Sequence, residues 1–111
     1  MIVVTTENVA GYKITEVKGT AFGLTVRARG LGKDIMASFK GLIGGEIAQY
    51  TELLEDARKA AIDRMIKNAH AMGADGIVMV RYDSAEIGRN MTEIVAYGTA
   101  VTLEKANEHV H

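Results

Sequence analysis

The chain has 111 residues, 48% apolar and 24% charged, with a formal net charge of −1 and no Cys, which describes one ordinary globular domain. Without Cys there can be no disulfide, no thiolate metal site and no cysteine nucleophile. Near-neutral charge without basic clusters leaves out the electrostatic footprint of a nucleic-acid binder.

Read from the start, Ile2-Val3-Val4-Thr5-Thr6 is a short β-rich segment. Glu7, Asn8 and Gly11 then predict a turn. No basic start followed by an apolar run marks a signal peptide, and no stretch reaches the ~20 apolar residues of a membrane span. The expected compartment is therefore the cytoplasm, with no membrane partner. From Tyr12 to Arg29 the chain has strand character. Phe22, Leu24, Val26 and Ala28 alternate with Gly23, Thr25, Arg27 and Arg29, the pattern of a one-sided strand. Gly19 and Gly23 are candidate bulges or bends within it.

Gly30 and Gly32 break that strand. Leu31, Ile35, Met36, Phe39, Leu42 and Ile43 recur at helical spacing and predict a short helix stopped by Gly44. A long helix should start between Glu46 and Thr51 and end at Met72-Gly73. Its apolar stripe is Tyr50, Leu53, Leu54, Ala57, Ala60, Ala61, Met65, Ala69 and Met72. Glu55 with Lys59 and Asp63 with Lys67 are i,i+4 pairs on the other side. Gly73 is placed to cap the helix in the left-handed conformation.

Gly76 to Tyr82 predicts a second strand, and Asp83 to Asn90 a polar connection. Met91 to Leu103 is a third strand, followed by a frayed or weakly helical tail, Glu104 to His111. The third strand is apolar on both faces. Val95, Tyr97, Val101 and Leu103 take one, and Ile94, Ala96 and Ala100 the other, as a central strand requires. The charged first and second strands then become its neighbours. They run parallel to each other and are joined by a right-handed helical crossover. The expected fold is α+β, a β-α-β-β two-layer sandwich over residues 1–103. It has a mixed three-stranded sheet with the third strand central, one long helix, an extra short helix and an N-terminal strand. One sheet face remains apolar with only the short helix to hide it, which points to association with copies of the same chain.

No catalytic constellation stands out. His109 and His111 lie in the tail, and His70 suits the negative end of the helix dipole. Ser38 and Ser84, the only serines, do not sit in a nucleophile elbow. The six Met residues form no Met-x-x-Met cluster and read as core filler. The chain is therefore read as no enzyme, with no cofactor assigned. Gly44-Gly45 before a helix could offer N–H groups to an anion, but Glu46 occupies that position and no phosphate-loop spacing follows. If a ligand binds, the expected place is the joint Gly44, Gly45 and Tyr50 where it meets a neighbouring subunit. The order strand, helix, Gly41-Leu42-Ile43-Gly44, helix, strand, strand also offers a KH-like alternative, in which that loop would clamp a nucleic-acid backbone. Aliphatic Leu42 and Ile43 oppose it.

An ordered set of short motifs resembles the YbjQ-like family. The set comprises Ile2-Val3-Val4-Thr5-Thr6, Phe39-Lys40-Gly41-Leu42-Ile43-Gly44-Gly45-Glu46, Tyr50-Thr51-Glu52-Leu53-Leu54, Ala57-Arg58, Gly73-Ala74-Asp75-Gly76-Ile77-Val78 and Tyr97-Gly98-Thr99-Ala100-Val101. The resemblance implies a dodecin-like β-α-β-β core, assembly as a ring-shaped homopentamer, and a "putative heavy-metal-binding" label. It assigns no ligand to a residue of this chain.

Overall fold

A computed structural model describes residues 1–28, 45–87 and 91–106. The elements in chain order are β1 (Ile2–Val3), β2 (Tyr12–Ala28), α1 (Gly45–Ala71), β3 (Gly76–Glu86) and β4 (Met91–Lys105). The sheet order is β1-β3-β4-β2. β4 is antiparallel to both neighbours, and β1 runs parallel to β3 at its outer edge. The central position expected for the third strand is observed, and the N-terminal strand adds a fourth to the sheet. The predicted Leu31–Ile43 helix lies outside the described residues.

Helix α1 follows its alanine-rich stripe. Ala57, Ala61, Met65 and Ala69 are fully buried against Ala21, Ile77, Ile94, Ala96 and Ala100. Its C-terminus is closed by a Schellman pair. Ala74 N donates to Ala69 O at 3.1 Å and Gly73 N to His70 O at 3.0 Å, with Gly73 at φ 84. That geometry suits a residue without Cβ. Asp75 then ties the turn to β4, its N donating to Val101 O at 2.8 Å and its Oδ2 accepting from Leu103 N at 3.0 Å. The i,i+4 pairs Glu55–Lys59 and Asp63–Lys67 do not close. Among the described residues the only ion pair is Lys18–Glu16, at 2.9 Å, because exposed helix charges gain little over solvation by water.

The sheet face taken by the helix is the opposite of what the alternation in β2 suggests. Ala21, Gly23 and Thr25 lie under α1, while Phe22, Leu24 and Val26 point away from it and are exposed. Gly23 does not form a bend. It pairs regularly with Ala96 and marks the closest approach of helix to sheet. A Cβ there would collide with Ala61 O and Met65 N and would stand 2.8 Å from Arg64 Cβ. Thr25 is 2% exposed, and its Oγ1 donates to Ala57 O at 3.0 Å, which satisfies the hydroxyl. The register shift expected at Gly19 is present, between Val17 and Gly19.

Both later strands run past their expected ends. β3 continues from Tyr82 to Glu86 because Asp83, Ser84, Ala85 and Glu86 pair with Val95, Ile94, Glu93 and Thr92. The polar side chains hid this pairing, which is made by the backbone. β4 reaches Lys105, with Glu104 and Lys105 opposite Lys13 and Tyr12. A bulge in β3 lies between Val78 and Arg81, where Met79 takes φ 55.

On the face away from α1, one end is covered. Val9, Val78 and Val101 are buried there with Ile2, Val4, Tyr12, Ile14 and Leu103 packed around them. The N-terminal segment is held by backbone bonds Val4 N to Ile77 O (2.9 Å) and Met79 N to Thr6 O (3.0 Å), and by Arg81 Nη1 donating to Thr5 O at 3.0 Å. This segment does part of the covering that the sequence assigned to the short helix.

Candidate functional site

The expected ligand joint is only partly visible. Gly45 opens α1 and Tyr50 lies in its second turn. Gly44 and the whole Gly41–Gly44 loop lie outside the described residues, as do His109 and His111. His70 is exposed in the last helical turn.

Two other surfaces stand out. The first is the uncovered end of the sheet. Phe22 opposes Tyr97 and Leu24 opposes Val95 across the β2–β4 ladder, with Val26 next along β2. Directly opposed residues share a face, so these side chains form one apolar patch. Phe22 is 56% exposed, Val26 45%, Leu24 41% and Tyr97 39%. Two carbonyls of β2 beside this patch are capped by helix side chains. Asn68 Nδ2 donates to Phe22 O at 2.7 Å, and Arg64 Nη1 donates to Leu24 O. Helix side chains thereby occupy carbonyls that another strand would need.

The second surface is a cleft of about 500 Å³ on the helix side of the sheet. Helix α1 lies chiefly over β2 and β4, so the outer half of β3 is left uncovered. One wall is Thr51, Leu54, Glu55 and Arg58 of the helix. The other is Ser84, Glu86, Thr92 and Ile94 of the β3–β4 hairpin. The Arg58 guanidinium lies 5.2 Å from the centroid of the Tyr82 ring, within cation–π range. Sequence reasoning missed this cleft because it read residues 83–90 as a connection. The available signal was the row Tyr82, Ser84, Glu86, which shares one face of a strand.

A heavy-metal site is not supported by these donors. The chain has no thiolate, and the described residues bring no three of His, Cys, Asp and Glu together. Met65 is buried in the core. Thiophilic ions select sulfur ligands, and the donor set here does not fit one. Among the described residues no helix is long and apolar enough to cross a membrane.

A single mixed sheet under one long helix, with an exposed apolar patch on its outer face and no catalytic cluster among the described residues, describes a small α+β protein. The chain belongs to the YbjQ-like family, whose model, described as "Putative heavy-metal-binding", matches residues 1–104. It is similar to a UPF0145 protein of Bradyrhizobium sp. (strain ORS 278), 57% identical over 106 residues, spanning 96% of each chain. A UPF0145 protein of Sulfurisphaera tokodaii is 53% identical, over 96% of this chain and 93% of that protein. Among solved structures, a protein of unknown function from Pediococcus pentosaceus, assigned to the DUF74 family, shares the fold. Its TM-score is 0.62 at 19% identity, over 94% of this chain and 98% of that one.

Proposed function

We propose that the chain is a subunit of a homo-oligomeric ring in the cytoplasm, five-membered as the family resemblance implies. It serves as a structural or small-ligand-binding module rather than a catalyst. The apolar patch of Phe22, Leu24, Val26 and Tyr97 carries this reading. Fully burying such a side chain contributes about 1.5–3 kcal/mol, so covering the exposed half of each adds roughly 1 kcal/mol apiece. A lone protomer forgoes that gain, and a net charge of −1 puts up little repulsion between copies. The capped carbonyls of Phe22 and Leu24 on β2 favour contact through side chains over strand addition there. The small ligand could be a metal ion, as the family label suggests, but the described residues bring no three of His, Cys, Asp and Glu together to hold one.

Native mass spectrometry tests it. The expected mass is an integer multiple of 12.0 kDa, five-fold for the pentamer, and Phe22→Asp should release smaller species while keeping the circular dichroism of the fold. A parent chain that stays monomeric at micromolar concentration refutes the proposal.

A further inference from the structure

We propose that the cleft between α1 and the β3–β4 hairpin receives the apolar patch of a neighbouring copy of this chain, with the neighbour's Phe22 seated between Leu54 and Arg58. This rests on the ring reading above and names the surface that the patch meets.

In a cyclic ring of more than two copies, neighbours meet head to tail, so the patch on one copy must contact a different surface on the next. Phe22, Leu24 and Val26 lie on the face away from α1, at the β2 side of the sheet. The cleft lies on the helix face at the β3 side. Two surfaces on opposite faces and opposite sides of one sheet can repeat the same contact from copy to copy, and neither has to pair with itself.

Area points the same way. The exposed parts of Phe22, Leu24, Val26 and Tyr97 come to roughly 300–400 Å², about half of the ~800 Å² that each partner of a stable interface buries. Pressed against a flat surface, the patch falls short. A concave partner also reaches the flanks of these side chains and the rim around them. The cleft offers about 500 Å³, within the range of pockets that enclose small organic groups, so a phenyl ring fits. Leu54 and Ile94 give it an apolar floor. Arg58 already lies over the Tyr82 ring at 5.2 Å, and a planar guanidinium held over one ring has a second face for another.

The two rims carry opposite charges. Beside the patch, Arg64 donates to Leu24 O, and its fork has further donors. At the rim of the cleft stands Glu55, exposed and in no ion pair among the described residues. Rim charges of opposite sign fix the register of an interface more than they raise its affinity.

Engineered cysteines test the contact, since the chain has none of its own. Leu24→Cys puts a thiol in the patch, and Ser84→Cys puts one on the cleft wall. The two positions are on opposite faces of the sheet, so a short linker does not join them within one chain. The double variant, treated at low micromolar concentration with a short bismaleimide linker, should give a ladder on denaturing gels. The ladder should end at the subunit number read by native mass spectrometry, and each single variant should stay at the monomer mass. Ser84→Trp is a second readout. It fills the cleft with a residue that suits a strand and should weaken assembly at least about tenfold, with unchanged circular dichroism. A ring whose double variant gives no ladder overturns the proposal and leaves the ring reading standing. So does a ring in which either single variant links into dimers, the mark of a two-fold contact, or a Ser84→Trp variant that assembles like the parent. A parent chain that is monomeric in native mass spectra refutes the ring reading, and this one with it.

Discussion

Replacing Gly23 by Ala tests how closely α1 is seated on the sheet. Gly23 is in regular register with Ala96 and is not among the glycines with positive φ. In an open strand the change would therefore help, since glycine in a strand interior costs about 0.5–1 kcal/mol relative to alanine. Here the new methyl would meet Ala61 O and Met65 N. Both are helix backbone atoms, which cannot rotate aside as a side chain can. The helix must lift. Lifting loosens the packing of Ala57, Ala61, Met65 and Ala69 and stretches the 3.0 Å bond from Thr25 Oγ1 to Ala57 O. Overpacking of this kind costs about 1–3 kcal/mol, and weakening one buried hydrogen bond adds up to about 1 kcal/mol, so after the gain from removing glycine a net loss near 2 kcal/mol is expected. An unfolding entropy of about 2.1 cal/mol/K per residue gives roughly 0.23 kcal/mol/K for 111 residues. The melting temperature should then fall by about 9 °C at fixed protein concentration. Gly11→Ala is the control. It has nothing within 4 Å of the new Cβ but sits at φ +79, so backbone strain alone should cost about 1 kcal/mol, or roughly 4 °C. Thermal unfolding followed by circular dichroism reads both. If the Gly23 variant melts within about 2 °C of the parent, or no lower than the Gly11 control, the close seating of the helix is wrong.

Thr25→Val keeps the β-branched shape and removes the hydroxyl that donates to Ala57 O. It should lower stability by about 1 kcal/mol, or roughly 4 °C in the same melt, and an unchanged melt would show that this hydrogen bond contributes nothing. For a chain without thiolates, EDTA and Cd²⁺ should both leave the melting temperature unchanged. A ligand that binds only the folded state would raise it. Stoichiometric Cd²⁺ retained after dialysis would overturn the donor argument.

Much of the fold is legible in the sequence because it depends on local signals. The double-sided apolar pattern of Met91 to Leu103 places β4 in the centre, and Gly73 marks the helix end. The choice of face under α1 is not legible from hydrophobicity, since Phe22, Leu24 and Val26 look like the core side of β2. Size decides it. A helix whose stripe is Ala57, Ala61 and Ala69 sits deep only over small residues, and Ala21, Gly23, Thr25, Ala96 and Ala100 supply them. Matching small against small would have found that face. The outer half of β3 carries no hydrophobic alternation at all, because Arg81 to Glu86 is exposed on both sides and held by backbone pairing to β4. The cleft is built on that segment, so it was hidden for the same reason. The joint at Gly44, Gly45 and Tyr50 was conspicuous in sequence because glycines punctuate the chain there, but punctuation marks where a helix begins and says little about what a ligand would touch.

The division between small and large side chains has a consequence for assembly. Placing Ala and Gly beneath the helix lets backbone approach backbone, which brings Thr25, Arg64 and Asn68 within hydrogen-bonding reach of main-chain carbonyls on the helix and on β2. The larger apolar groups on β2 then have only the outer face to occupy. On that face the N-terminal segment covers the end around Val9, Val78 and Val101, leaving Phe22, Leu24, Val26 and Tyr97 uncovered. Those side chains stabilise a lone protomer least and an assembly most. Because Arg64 and Asn68 occupy the outward carbonyls of β2, a neighbour arriving there meets capped backbone beside an open apolar face. Contact through the face leaves each sheet finite, whereas strand addition at an open edge would propagate from chain to chain. In the assembly proposed above, the same two helix residues that seat α1 on the sheet would disfavour strand addition at these two carbonyls.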